Sequence, residues 1–186
     1  MPKLLAKFDV DVFVGDCLVA WNKSGVEGVK EILERSLAEP APIRATFGQP
    51  AEAGLTVLYP GPELVVENMV WAPRMTYPPH DHRTPVLTGV YSGSEVNEFF
   101  RKAGPHLVPD RTVMIGTGET ILLHRDAIHK IVNPDRRCYT GALPIYIGDY
   151  LHSQRSIWHP DEAAEAPGSL AITEGIFAEA NRGPAG

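Results

Sequence analysis

The apolar positions of the chain change period once, near Gly54. Before it, Val26, Val29, Leu33 and Leu37 recur at helical spacing. Ser24 and Glu27 stand at capping-box spacing ahead of that face, which predicts a helix from Ser24 to Glu39. Pro40 and Pro42 are expected to stop it. A further helix or two is expected around Val10 to Trp21. From Gly54 onward the apolar runs shorten to LTVLY, ELVVENMVW, VLTGVYSG, VNEFFRK, RTVMIG, ETILLH, HKIVN and YTGALPIYIG. Gly, Pro, Asn and Asp punctuate them, which predicts an all-β sandwich or barrel over 54–150. After Tyr150 the chain reads as loop through HSQRSIWHPDEAAEAPGS. A short helix is then expected from about Ser169 to Asn181, with Leu170, Ile172, Ile176 and Phe177 as its apolar face.

A length of 186 residues fits one domain, 1–186, with a helical layer over 1–50, the barrel over 54–150 and a loop with a helix over 151–186. The net charge is −6, and no basic cluster of the kind that tracks phosphates is present. Nucleic acid is therefore not an expected partner. Cys17 and Cys138 lie far apart and form no disulfide framework or C-x-x-C. Lys7, Asp9 and Asp11 interrupt what would have to be the apolar core of a signal peptide. No uncharged apolar run approaches the ~20 residues that a membrane span needs. A cytoplasmic, reducing setting and no membrane partner are expected.

The chemistry lies in the β region. PPHDHRT puts His80 and His82 two apart, and residues i and i+2 of a strand share a face. An isolated H-x-H is a weak metal signal. A second segment, GETILLHRDAIHKIVNP, strengthens it. Together the two segments resemble the paired motifs of the cupin superfamily, in the correct order. Gly118, His129 and Asn133 match the second motif, with His124 at its proline and Asp126 at its inner glycine. Asp tolerates left-handed backbone better than most residues. His80, His82 and Gly93 match the first motif. Val86 stands at its carboxylate position and Arg74 at its opening glycine. The resemblance implies a mainly β fold, a cupin double-stranded β-helix with N-terminal helices and a C-terminal helix. It also implies one metal ion on His80, His82 and His129. Glu95, Asn97 and Asn133 are candidates to support the ligands from behind.

Without a carboxylate ligand, three neutral imidazoles leave a divalent ion its full charge and several open positions. That favours an anionic substrate together with dioxygen. Such a centre resembles the three-histidine iron site of the thiol dioxygenases, relatives of cysteine dioxygenase. Trp71, nine residues before His80, and the runs WAPRMTYPPHDH, GVYSGSEVNEFFRK, AIHKIVNP and IYIGDY are similar to a bacterial branch of that group. That branch is described as metal-dependent enzymes of the double-stranded β-helix superfamily. Fe(II) is the cofactor implied, with Ni, Zn or Mn as other divalent ions a purified sample would hold. The partners implied are a small-molecule substrate and O2.

The likeness has gaps. The late-strand run Ser-x-His-x-Tyr of the cysteine enzymes reads Ala142-Leu143-Pro144-Ile145-Tyr146 here. Tyr146 matches and is implied to be catalytic. Alternation puts Ala142, Pro144 and Tyr146 on one face, so the pocket loses an imidazole at Pro144. The early-strand arginine of those enzymes falls near Gly54 and Leu55, where none stands. Leu87 lies near the place of their cross-linking cysteine. Thr84 and Val86 are expected to share the ligand face and make a small, partly apolar mouth. Arg74 and Arg155 are the remaining candidates for binding an anion. His106, His152 and His159 fall in loop-like segments with no metal role. The expected function is a thiol-type dioxygenase for which free cysteine is a poor substrate. An oxygenase cleaving a diketone-like substrate, or a non-catalytic metal- or ligand-binding cupin, are the alternatives.

Overall fold

The N-terminal helix starts where the Asp9 carboxylate accepts a hydrogen bond from the Val12 backbone N–H, 3.1 Å away. A computed structural model describes residues 7–158 and 165–182. Helix α1 runs Val10–Leu37 and is broken at Gly25 (φ 61°, ψ −145°). The break separates the two helical stretches expected on either side, one residue inside the start expected at Ser24. Its second half buries Val29, Leu33 and Leu37 completely. Pro40 ends that helix, but a short α2 (Ala41–Phe47) follows at once. Pro42 is tolerated there because a first-turn residue has no intrahelical use for an N–H.

The β region holds β1 (Gly54–Pro60), β2 (Leu64–Trp71), β3 (Thr76–His80), β4 (Val86–Ser92), β5 (Ser94–Ala103) and β6 (His106–Gly116). It continues with β7 (Thr120–Leu123), β8 (Ile128–Val132) and β9 (Thr140–Ile147). Two antiparallel sheets result, with orders β1-β2-β9-β4-β7 and β3-β8-β5-β6, the second extended beyond β3 by β10 (Ser156–Trp158) and β11 (Glu165–Pro167). Strands β2 to β9 alternate between the sheets as β2-β9-β4-β7 and β3-β8-β5-β6. That is the strand order of a jelly roll, the double-stranded β-helix. The fold is mainly β, flanked by helices at both ends of the described chain.

The short strands β10 and β11 form where the sequence reads as loop. Three residues are too few for a visible alternation. What makes β10 a strand is its partner: Ile157 pairs with His80 at the open edge of β3. Asp81 locks the join, its N–H donating to the Ser156 carbonyl at 3.1 Å and its carboxylate accepting from the Ser156 N–H at 2.8 Å. Helix α3 (Leu170–Arg182) then starts at a Ser169 hydroxyl that accepts from the Ile172 N–H.

The first sheet is apolar on both faces. Leu64, Val66, Leu87, Leu143, Ile145 and Ile147 pack outward under α1, while the alternate residues face the second sheet. Strand β9 is buried at every position, which is why it reads as a continuous apolar run. Close approach of α1 depends on Gly89 of β4. A Cβ there would lie 2.2 Å from Leu37 Cδ1 and 3.2 Å from both Leu33 methyls. Gly93 (φ +81°) makes the turn from β4 to β5, where a Cβ would sit 2.7 Å from the Thr140 hydroxyl.

Gly89→Val is expected to lower stability by about 1–3 kcal/mol through overpacking, because Leu33 and Leu37 have no solvent to turn into. The measurement is the urea midpoint. An unchanged midpoint would mean that α1 does not depend on this contact.

Candidate metal centre

His80 is the last residue of β3 and pairs directly with His129 of β8 across the ladder. That register puts two imidazoles side by side on the inner face of the second sheet. His82 arrives differently. The strand has ended, so same-face alternation does not place it. The link of Asp81 to β10 and a left-handed Arg83 (φ 57°) turn the chain back instead. The His80 and His82 Nε2 atoms are 3.1 Å apart, and ligand atoms of all three rings lie within 4.8 Å of one another.

The protons follow from the partners. His80 Nδ1 is 3.0 Å from the Pro78 carbonyl, which only accepts, so Nδ1 carries the hydrogen. His129 Nδ1 is 2.7 Å from Asn97 Oδ1. The Asn97 amide nitrogen donates to Glu95 at 2.9 Å, which fixes Oδ1 as an acceptor. Both Nε2 lone pairs therefore point into the cluster. His129 Nε2 is buried without a hydrogen-bond partner, a costly state unless something else meets it. Nitrogens bound to one ion at about 2.0–2.1 Å sit about 2.8–3.4 Å apart at right-angled to tetrahedral openings. The 3.1 Å separation falls in that range. Burial first, and the other histidines second, hold His129 neutral far below the usual range, and burial lowers His80 to about 4. Neutral imidazole is the ligating form. The cluster fits a divalent metal ion.

Behind it runs a buried chain of hydrogen bonds. His129 is held by Asn97, Asn97 by Glu95, and Glu95 accepts from the Trp71 indole at 2.8 Å. Glu95 and Asn97 are 1% and 0% exposed, so they are not a solvated pair on the hairpin. Asn133 serves elsewhere. Its amide donates to the carbonyls of Trp71, Ala72 and Cys138 at 2.9–3.1 Å, clamping the ends of β2 and β8 together.

A cavity of about 130 Å³ opens over the histidines. Val86, Pro144 and Tyr146 line it. Thr84 does not, because its hydroxyl turns away to donate to the Ile147 carbonyl. Arg74 does not either. It holds φ 61°, a glycine-like conformation at the motif's glycine position, and borders a separate recess with Asn133 and Arg136. Asp126 needs no left-handed backbone, since Arg74 and Arg83 are the non-glycine residues that adopt it among the described ones. Leu87 faces α1 and not the cavity. Cys138 lies in the loop before β9. His124 is exposed in a turn closed by the Ala127 N–H. His152 pairs with Asp149 on the surface. His106 opens β6, exposed, and His159 lies outside the described residues.

Arg155 enters the cavity. Its guanidinium carbon lies 4.1 Å from the centroid of the Tyr150 ring, and its buried Nε has no partner. Tyr150 in turn stacks on Tyr146 with centroids 3.6 Å apart. Glu67, 4% exposed, also lines the cavity. Burial pushes its carboxyl up to about 7, opposed by a hydrogen bond from Tyr146 and the charge of Arg155. Sequence reasoning missed Glu67 and Tyr150. The signal for Glu67 was its phase: it shares the inner face of β2 with Val65, Met69 and Trp71, a carboxyl in an apolar row.

No protein-family model and no curated protein matches the chain. Solved structures similar to it include a cupin superfamily protein from Desulfitobacterium hafniense, at 13% identity over 55% of this chain and 83% of that one, with a TM-score of 0.44. A conserved protein with a double-stranded β-helix domain from Klebsiella pneumoniae is similar at 13% identity over 57% and 80%, with a TM-score of 0.45. An oxalate oxidase in complex with glycolate is similar at 16% identity over 73% and 76%, with a TM-score of 0.47.

His129→Ala is expected to remove most of one bound transition-metal ion per chain while the barrel stays folded. Elemental analysis beside circular dichroism reads both, and full metal occupancy in the variant would rule out this ligand set. Glu67 has a stability signature. Its folded pKa lies above the ~4.3 of an unfolded carboxyl. The burial therefore costs nothing at low pH and progressively more as pH rises from about 4.5 to about 7. Glu67→Gln should unfold with the parent at pH 4.5 and be more stable at pH 8, on the order of 1–3 kcal/mol. A gap that is the same at both pH values would contradict the assignment.

Proposed function

We propose that the chain is a non-haem Fe(II)-dependent dioxygenase of the thiol dioxygenase type, acting with O2 on a small anionic thiol. The observation that carries this reading is the composition of the cavity. Three neutral imidazoles are joined by no carboxylate, with Val86, 1% exposed, in the carboxylate's place. A guanidinium with an unpartnered buried Nε shares the same space. An uncompensated divalent ion and an unpaired arginine together favour an anion with two ends. Iron held by the histidines supplies the redox chemistry that dioxygen requires, and the rest of the site binds and orients.

Arg155 does what the early-strand arginine does in the cysteine enzymes, from the opposite end of the chain. A carboxylate left unpaired in such a cavity costs several kcal/mol, and a guanidinium offers it paired donors. The thiol end of the substrate then lies toward the histidines and the carboxylate toward Arg155. Tyr146 is held between Glu67 and Tyr150 beside the His82 ring, with ring centroids 5.5 Å apart. Its hydroxyl, which donates to Glu67, turns its one proton to the reacting end when substrate binds. Pro144 and Val86 narrow the space between. That narrowed space is walled by hydrocarbon, so a thiol without an α-ammonium group fits it better than cysteine.

Oxygen uptake by the Fe(II)-loaded protein should be greater with 3-mercaptopropionate than with cysteine or a simple diketone at equal concentration, and the product should be a sulfinate. Tyr146→Phe should keep its metal and lose ~10²-fold in turnover, as for a lost catalytic donor. Cysteine as clearly the best substrate would refute the stated preference. Cleavage of the diketone to a pair of acids would replace thiol oxidation with carbon–carbon bond cleavage. Tight ligand binding without any uptake would make the chain a non-catalytic metal-binding protein.

A further inference from the structure

We infer that the substrate carries a hydrocarbon group beyond its anionic part, and that this group lies on an apolar rim of Val57, Leu151 and Leu170 at the mouth of the histidine cavity. The inference rests on the reading of that cavity as an anion site and adds the class of molecule that it takes.

Six large hydrophobic side chains are strongly exposed among the described residues. Three of them, Val57 (42%), Leu151 (45%) and Leu170 (55%), line the one cavity that has the histidines at its floor. Scattered exposed apolar residues need no explanation, but a group of them around a polar site does. The three come from β1, from the loop after β9 and from the first residue of α3, so no shared helix or strand face forces them together.

The rim is not a loose end waiting to fold inward. Helix α3 is fastened to the barrel at several points. Asn181 exchanges hydrogen bonds with both backbone groups of Ala53, at 2.7 and 2.8 Å. Phe177 stacks on Trp71 with centroids 5.5 Å apart, and Thr173 meets the Tyr77 hydroxyl at 2.7 Å. With the helix so anchored, Leu170 stays in solvent. By exposure the lining therefore runs from the buried histidines and Glu67, through half-buried Arg155, to hydrocarbon in solvent. That order matches an amphiphilic anion entering head first. A protein partner fits less well, since a stable interface buries roughly 800 Å² on each side, far more than three side chains present.

The test is calorimetric binding of straight-chain carboxylates from acetate to octanoate to the Zn(II)-loaded protein, where no turnover intervenes. Affinity is expected to rise about 3- to 4-fold per methylene once the chain reaches the rim, as for ~0.8 kcal/mol per buried CH₂. The double variant Leu151→Ser/Leu170→Ser, at exposed positions that tolerate substitution, should flatten that rise. Short carboxylates binding with no gain from added methylenes would overturn the rim's role and leave the anion site standing. Failure of every carboxylate to bind would overturn both. Concentration-dependent self-association, seen by sedimentation and abolished by Leu170→Ser, would show the rim to be an interface between copies and also overturn the inference.

Discussion

The site depends on one backbone pairing, His80 of β3 opposite His129 of β8. Two imidazoles brought this close, in a place neither can leave, impose everything around them. Each needs its far nitrogen satisfied so that its near one stays a bare lone pair. The Pro78 carbonyl does this for His80 and Asn97 for His129. Asn97 needs its own amide group held, which makes Glu95 necessary, and Glu95 is tolerable at 1% exposure only because Trp71 and Asn97 both donate to it. A buried polar network is costly when partly satisfied and rigid when complete. Here it is complete up to the single atom, His129 Nε2, that faces the cluster.

The parts of this arrangement written in local order were legible in the sequence. The helical spacing of Val29, Leu33 and Leu37, the turn-punctuated β runs and the two histidine segments need only neighbours a few residues apart. The rest is set by partners remote in the chain. β10 is a strand because the edge of β3 is open to it, and no pattern in three residues announces that. His82 reaches the cluster through Asp81 and a left-handed Arg83, so the alternation argument named the right residue for a reason that does not operate there. Thr84, assigned to the ligand face by that alternation, turns away once the strand has ended. Arg155 is indistinguishable from a surface arginine until the chain after β9 folds across the mouth. Glu67 was the readable exception, since a carboxyl in phase with Val65, Met69 and Trp71 breaks the row on which a buried sheet depends.

Charge is distributed with the same economy. Glu67 and Arg155 line one cavity yet form no ion pair with each other among the described contacts. Had they paired, each would have been satisfied and the cavity would be electrically finished. Held apart, with Tyr146 on one and the Tyr150 ring under the other, they keep a destabilising carboxyl and an unpartnered guanidinium Nε at hand. Groups kept in such states at a stability cost cluster where a ligand completes them.

The jelly roll divides these tasks between its layers. The second sheet, through β3, β8 and β5, carries His80, His129 and the Asn97–Glu95 pair behind them. The first sheet, through β2, β4 and β9, carries Glu67, Val86, Pro144 and Tyr146, which shape the space opposite. Sheets packed face to face lie about 10 Å apart, so a molecule between them touches both at once. The C-terminal portion extends the second sheet through β10 and β11, and its helix α3 closes the remaining side. The first sheet and the C-terminal portion also reach the ligands: Trp71 at the end of β2 donates to Glu95 behind His129, and Ser156 of β10 holds Asp81 between His80 and His82. The chain's departures from the thiol dioxygenase pattern at Pro144, Leu55 and Leu87 all fall on the first sheet, while His80 and His129 stand on the second.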